Sequence, residues 1–399
     1  MSSSVCRGCE SDKLDKFLDL GEMPSAGGFL SGMEAIKDEK LFPLPVHVCQ
    51  ECSLVQILEP IDPEILFQDY SFSSSTIGPL VQHFKNYAMW LKDKLDPISV
   101  VEFGCNDGVL LGPLGHLGIK ACGVDISENI TGMAREKGLD VVTGFFDESV
   151  SDAIKDRIGP VDIVTGSNAF AHNDRPDIIL KAARRILKPD GHLCLEIMYA
   201  GDLFEMLQWD TLYHEHLTFY SLTSLEFLLK RYGFHVVDAE RIPMHGGSLR
   251  VVATLNQNEQ RKAGVKAILS YENEKALADP KTWMEFGSHI GRKIEVVKQT
   301  LYKLSQNSRI CGYGAAGKAT LWVNTCKMDY LDAMVDASPL RAGKLMPGTH
   351  TPIVLPQELK ANPPDYIFVT AWNYADLIRS KEEWYEGIWV TPLPELKFF

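Results

Sequence analysis

Two Cys-x-x-Cys pairs, Cys6/Cys9 and Cys49/Cys52, constrain this chain more than any other feature, because both fall near its start. Each pair can grip one metal ion, and two pairs supply the four thiolates of a closed tetrahedral zinc site. A closed site keeps no open position for water, so the expected zinc holds structure and performs no chemistry. The stretch up to about Tyr70 is rich in Pro, Gly and short apolar runs. It has little room for a core, and a metal staple is the expected remedy. Unrelated buried pairs or disulfides are the alternative.

A chain of 399 residues exceeds what one core comfortably holds, so two or three domains are expected. No run approaches the apolar length that crosses a bilayer, and Met1-Ser2-Ser3-Ser4 lacks the charged and apolar regions of a secretion signal. A cytoplasmic location is the expectation, which agrees with thiols kept reduced for zinc. The net charge of −13 argues against a nucleic-acid partner, which would need a basic surface. It leaves room for a phosphorylated small molecule in a locally positive pocket.

Along the chain, apolar positions from Ile77 to Leu95 recur at helical spacing. Strand-like runs then follow at Ile98–Phe103, Lys120–Asp125, Val161–Thr165 and Gly191–Ile197, with a helix at Pro176–Leu187. That alternation predicts a doubly wound, mostly parallel sheet. Phe234–Arg241 and Ser248–Leu255 read as an antiparallel pair, and a Lys/Glu-rich helical stretch runs on to about Gln306. A second α/β unit opens at Ser308, with strand-like runs at Ala333–Asp336, Tyr366–Thr370 and Gly387–Thr391. The predicted domains are 1–75, 76–256, a helical connector at 257–307, and 308–399.

A strand emptying into a Gly-containing turn, followed by an acid ending the next strand, is a nucleoside-cofactor pattern. Here the pieces are Glu102, Gly104, Asp107 and Gly108, then Asp125, placed to accept hydrogen bonds from ribose hydroxyls. Asn106 stands where a dinucleotide fingerprint has its second glycine. Val100–Gly108 instead resembles motif I of class I S-adenosylmethionine methyltransferases, and Gly123–Ser127 resembles their acidic ribose loop. Gly144-Phe-Phe146 falls where such enzymes often contact adenine, and Asn168 at a strand end joins this expected cofactor set.

Two polar clusters sit just beyond predicted strand ends, Asn168–His172 and the run Tyr213-His-Glu-His216. An imidazole suits proton abstraction near neutrality. His214 and His216 point in different directions, so one faces the site. Metal binding by the His-Glu-His run is a competing reading, although its spacing suits a strand better than a helical zinc motif.

The ordered set of motifs resembles, over essentially the whole chain, the sugar C-methyltransferases acting on nucleotide-linked 4-keto-6-deoxyhexoses. Besides the elements above it includes His245-Gly-Gly-Ser-Leu-Arg250 and Gly312-Tyr-Gly-Ala-Ala-Gly-Lys318. The resemblance implies an N-terminal zinc module, a class I Rossmann-like S-adenosylmethionine domain and a second Rossmann-like α/β domain that helps hold the sugar's diphosphate. It implies His216 as the base, C-3 as the carbon it deprotonates, Glu215 and Tyr213 as orienting groups, and His172 as donor to the developing oxyanion. His214 receives no role. His245 and Arg250 are expected over the sugar, with Arg250 open equally to a phosphate or to structure. Gly314 and Lys318 are expected at the diphosphate. Which nucleotide the sugar carries, dTDP or GDP, whether C-3 or C-5 is methylated, whether C-3 bears an amino or a hydroxyl group, and the oligomeric state, stay open.

Gly312-x-Gly314-x-x-Gly317 with Asp336 ending the next strand also fits a dinucleotide fingerprint. An NAD(P)-dependent nucleotide-sugar oxidoreductase is therefore the rival enzyme, and a zinc-stapled nucleotide-binding protein the rival non-enzyme.

Overall fold

The computed structural model describes residues 5–62, 73–76 and 78–399. Met1 to Ser4, the expected end of the first module near Tyr70, and the expected helix start at Ile77 lie outside the described residues.

The strands described form three sheets. The first is antiparallel and contains β1 (Leu14–Pro24), β2 (Leu41–Cys49) and β3 (Val55–Ile57). Its fourth member comes from far along the chain: β9 (Thr218–Phe219) pairs with β3 through Val55–Phe219 and Gln56–Thr218.

The second sheet holds β4 (Ser99–Phe103), β5 (Lys120–Asp125), β6 (Val141–Thr143), β7 (Val161–Ser167) and β8 (Leu187–Met198), all parallel. Then β11 (Ser248–Thr254) joins β8 antiparallel, and β10 (His235–Ile242) closes the edge, giving the order β10-β11-β8-β7-β4-β5-β6. Every residue of β4 is buried, as a strand covered on both faces requires. Chain order reverses at β4, and that switch point opens a crevice at the carboxyl ends of β4 and β7. The helix Gly78–Leu95 covers one face, burying Leu80, Phe84, Tyr87, Ala88 and Leu91 along one stripe.

The third sheet has the order β14 (Ile353–Val354), β13 (Met334–Val335), β12 (Ile310–Tyr313), β15 (Tyr366–Val369), β16 (Ile388–Thr391) and β17 (Lys397–Phe398). Only β17 runs antiparallel.

The helical stretch read as a connector is two helices, Ala263–Glu274 and Pro280–Ser305. Asp279 caps the second by accepting from the Lys281 amide, and Pro280 occupies its first turn. This long helix does more than connect. Its buried residues Trp283, Phe286, Ile290, Ile294, Val297 and Leu301 join Phe17, Leu20, Val46 and Val48 of the first sheet in one core. Each large apolar side chain so buried contributes about 1.5–3 kcal/mol. The same core continues into Leu321, Trp322 and Phe368 of the third sheet's unit. At its other end, the first module packs Cys6, Cys49, Cys52 and Leu54 into the core of the second sheet. It thus bridges the two α/β units.

Candidate active site

The sulfurs of Cys6, Cys9, Cys49 and Cys52 all lie within 4.8 Å of one another. The Cys6–Cys52 and Cys9–Cys49 pairs are each 3.5 Å apart. A tetrahedral zinc with Zn–S of about 2.3 Å sets its sulfurs about 3.8 Å apart, so the set fits the ion. Four thiolates this close would repel one another, and a divalent cation among them would hold them. The Gly8 and Glu51 amides donate to the Cys6 and Cys49 sulfurs at 3.3 and 3.4 Å, and Gln56 Nε2 donates to Cys6 Sγ at 3.1 Å. Such donors orient metal-bound thiolates and spread their charge.

Gln56 links this metal end to the cleft, because its strand β3 carries β9. The Ile57 amide donates to Leu217 O at 3.0 Å, and the Leu217 amide donates to Ala171 O at 2.9 Å. These two bonds suspend His216 between the first sheet and the helical turn Phe170–His172. The rings of His172 and His216 meet nearly at right angles with centroids 5.0 Å apart, and the Tyr213 ring lies 4.2 Å from that of His216.

His216 Nδ1 sits 2.9 Å from Thr211 O. A carbonyl only accepts, so Nδ1 carries the proton and Nε2 keeps its lone pair. Burial, then His172 nearby, lowers the His216 pKa to about 3. Burial, then His245, lowers that of His172 to about 4, and burial with His83 lowers His245 to about 4. The three imidazoles are neutral at neutral pH. Burial also pushes the Glu215 carboxyl up to about 7, which poises it to exchange a proton near neutrality. His214 faces away: it is buried against Phe42, with Nε2 3.1 Å from Pro43 O.

Glu102, Gly104, Asn106, Asp107, Gly108, Asp125 and Asn168 gather at the crevice between β4, β5 and β7. Gly104 has φ +64, and a side chain there would collide with Ala169. Asp125 braces the turn, accepting from the Asn106 and Ser127 amides at 3.0 Å each. Glu102 Oε2, Ser167 Oγ and Asn168 Oδ1 are buried with no hydrogen-bond partner among the described residues. Burial, with Asp125, Glu196 and Asp107 adding to it, raises the Glu102 pKa well above the carboxylate range. A ligand bearing an ammonium and ribose hydroxyls supplies donors for these acceptors, so the residues fit S-adenosylmethionine.

Two expected cofactor residues do other work. Asp107 accepts from Ser73, Ser75 and Lys137, clasping the segment 73–76 over the turn. Phe146 is 5% exposed and stacks on Phe103 at 5.7 Å, whereas neighbouring Phe145 is 55% exposed. Arg250 is also committed. Its Nε and Nη2 donate to Glu196 Oε1 at 2.9 and 2.7 Å, its Nη1 donates to Glu240, and its face lies on Tyr87 and Trp90. This arrangement favours structure over phosphate for Arg250. Glu196 also accepts from His83 Nε2 at 2.8 Å. The sequence reading missed His83, since no local pattern ties a residue of one helix to a strand 113 positions away.

At the second glycine loop, Gly314 has φ +100, and a Cβ there would meet the Ala371 Cβ at 2.7 Å. A Cβ at Gly317 would meet the Tyr213 ring at 3.1 Å. Both glycines permit close approach of neighbouring protein segments. Asp336 accepts from the Ser338 amide and from Arg341. His245, with φ 53 in the turn Met244–Gly246, completes the cleft.

Three family descriptions match in order along the chain. "Putative zinc binding domain" matches residues 6–67, "Methyltransferase domain" residues 80–239, and "C-methyltransferase C-terminal domain" residues 243–394. The C-methyltransferase NovU of Streptomyces niveus is 31% identical over 98% of this chain and 95% of its own. A ubiquinone biosynthesis O-methyltransferase of Xanthomonas oryzae pv. oryzae is 31% identical over 25% of this chain and 42% of its own. Among solved structures, magnesium protoporphyrin IX methyltransferase of Synechocystis PCC 6803 with bound SAH aligns with 43% of this chain and 82% of its own, at 18% identity and TM-score 0.35. No described helix is long and apolar enough to cross a membrane.

Proposed function

Because the chain belongs to the C-methyltransferase family that includes NovU and is an S-adenosylmethionine-dependent enzyme of that kind, we propose that it methylates the carbon beside the ketone of a nucleotide-linked 4-keto-6-deoxyhexose, at C-3. The observation that carries this reading is the hydrogen bond from His216 Nδ1 to Thr211 O, which leaves the Nε2 lone pair available beside His172 and Tyr213.

A carbon beside a carbonyl is not nucleophilic until its proton leaves. His216 Nε2 takes that proton, and its neutral state at neutral pH makes it ready to do so. Charge then develops on the 4-oxygen, toward which the neutral His172 donates a hydrogen bond that strengthens as the reaction proceeds. Tyr213 packs on the His216 ring and fixes its plane. Glu215 lies close to Gly27 of the first module, and its carboxyl, raised to about 7, can exchange a proton near neutrality. When bound, S-adenosylmethionine supplies the methyl group on a sulfonium. Glu102, Asn168 and Asp125 hold that ligand at the carboxyl ends of β4, β7 and β5, on the same cleft as His216. His245 closes over the sugar, and the amides at the second loop face its diphosphate.

Incubation with S-adenosylmethionine and a panel of dTDP- and GDP-linked 4-keto-6-deoxysugars tests this directly. The expected product is one C-methylated keto sugar, and absence of a methylated product across the panel overturns the reading. The oxidoreductase alternative has no support: the family descriptions over residues 80–239 and 243–394 and the full-length relative are all methyltransferases.

A further inference from the structure

Lys318 is the second residue of the helix Gly317–Thr325, yet its ammonium is buried and has no hydrogen-bond partner among the described residues. The facing carboxylate oxygen, Asp210 Oδ1, is 4.0 Å away, too far for a hydrogen bond, and is likewise unpartnered. The other oxygen, Asp210 Oδ2, accepts from both the Trp322 and Trp372 indoles at 3.0 and 2.7 Å. The Trp372 ring in turn lies 4.8 Å beneath the Lys318 Nζ. The lysine is thus held electrostatically by a fixed carboxylate and an aromatic face while its own N–H groups stay unsatisfied. Leaving buried donors unpaired is costly, and proteins tolerate it chiefly where a ligand completes the set.

Two observations place that ligand near His216. Gly317 abuts the Tyr213 ring, and Tyr213 packs on His216, so the helix start borders the catalytic cleft. The positive charge of Lys318 also reaches both His216 and His245.

We propose that Lys318, held by Asp210 and Trp372, is a catalytic residue that donates a hydrogen bond to the sugar's carbonyl oxygen as it becomes an enolate oxygen. The proposal rests on the functional reading above. In the step concerned, the proton on the α carbon passes to His216 Nε2, the C–H electron pair forms the carbon–carbon double bond, and the carbonyl π pair moves onto oxygen. That oxygen, now negative, completes the hydrogen bonding of Lys318. The diphosphate is left to the loop amides.

The test needs no methyl donor. Deuterium uptake from solvent at the α carbon of the nucleotide-linked 4-keto-6-deoxyhexose is measured against substrate concentration for the native protein, Lys318→Met and Lys318→Arg. Lys318→Met is expected to lower the saturating exchange rate about 10²–10³-fold with little change in the half-saturating concentration. Lys318→Arg is expected to recover part of the rate. A raised half-saturating concentration with an unchanged saturating rate would make Lys318 a phosphate ligand and overturn the proposal. Faster exchange in Lys318→Met would also overturn it, since a lysine that merely repels the His216 proton would make His216 a stronger base when removed. If Lys318→Met does not melt cooperatively, Lys318→Gln takes its place with the same expected loss. Should the native protein exchange no deuterium with any substrate of the panel, the functional reading itself fails, a result separable from native exchange that Lys318→Met leaves intact.

Discussion

The two glycine loops of this chain look alike in sequence and serve opposite purposes. Each follows a buried strand and each has a glycine at positive φ pressed against an alanine, Gly104 against Ala169 and Gly314 against Ala371. What differs is the chemistry left unsatisfied beside them. The first loop is surrounded by buried acceptors, Glu102 Oε2, Ser167 Oγ and Asn168 Oδ1, and the second has a buried donor, Lys318 Nζ. Acceptors suit a ligand rich in N–H and O–H groups, and a donor suits an oxygen that gathers negative charge. The second loop also packs at Gly317 against Tyr213, the ring that lies on His216. A glycine pattern alone therefore marks close backbone approach, and the neighbouring unpaired atoms show whether ligand or protein does the approaching.

The largest expected effect lies where the two loops converge. His216→Asn should lower both solvent exchange and methyl transfer about 10²–10⁴-fold, while calorimetry still detects S-adenosylmethionine binding at native affinity. Loss of that binding would mean the base and the first loop are not separate, which breaks the comparison. Next comes the first loop itself. Glu102→Gln keeps the shape of the side chain but removes the carboxyl that a bound ammonium would ionise, and should weaken S-adenosylmethionine binding about 10–100-fold. Exchange without methyl donor should stay near the native rate, because the exchange machinery belongs to the other side of the cleft. Equal losses in both assays would count against the division.

The parts of this architecture that were legible in the sequence are those with local signatures. The paired cysteines show ligand spacing within four residues each, and the fold brings all four sulfurs together. The strand β5 has the expected ends, and the antiparallel pair forms as read, because alternation and turn residues are local properties. Contacts between distant segments were not legible. Nothing about Thr218–Phe219 announces that it completes the first sheet, nor that the helix Pro280–Ser305 shares a core with Phe17. Arg250 and Phe146 show the same limit. A guanidinium between Glu196 and Glu240, or a ring stacked on Phe103, depends on side chains that sequence spacing does not bring into view. The roles of His172, Tyr213, Glu215 and His216 came from resemblance, and the hydrogen bond to Thr211 supplies the physical argument for His216.

The cleft's burial also predicts how stability follows pH. His172, His216 and His245 have folded pKa values lowered to about 4, 3 and 4, below the ordinary 6.5. Between those values the unfolded chain binds more protons, so stability falls as pH drops from about 6.5 toward 4. Glu215, raised from 4.5 to about 7, acts in the opposite sense, its stabilisation being complete below 4.5 and lost as pH rises through 7. Between pH 4.5 and 6.5 the three imidazoles oppose two raised carboxyls, Glu215 and Glu102, and the histidines should win by a narrower margin. Thermal melting should show the melting temperature declining by several degrees over that interval, and the decline should shrink in His172→Gln. A melting temperature flat from pH 7 to 4.5 would mean the imidazoles are better solvated than the packing indicates.

The smallest effect should come from Gly317→Ala, and it bears most directly on why the second loop has its glycines. The added methyl would sit 3.1 Å from the Tyr213 ring, close enough that the ring must yield by a few tenths of an ångström. Tyr213 can give a little because one face is against His216 and the cleft lies beyond. Displacing it tilts the imidazole whose Nδ1 is anchored to Thr211, so proton removal should slow about threefold to tenfold. Binding of S-adenosylmethionine should not change, because the first loop is untouched. If the second loop instead served a nucleotide, the same methyl would raise the half-saturating substrate concentration and leave the saturating exchange rate alone, so the two uses of a glycine separate in a single titration.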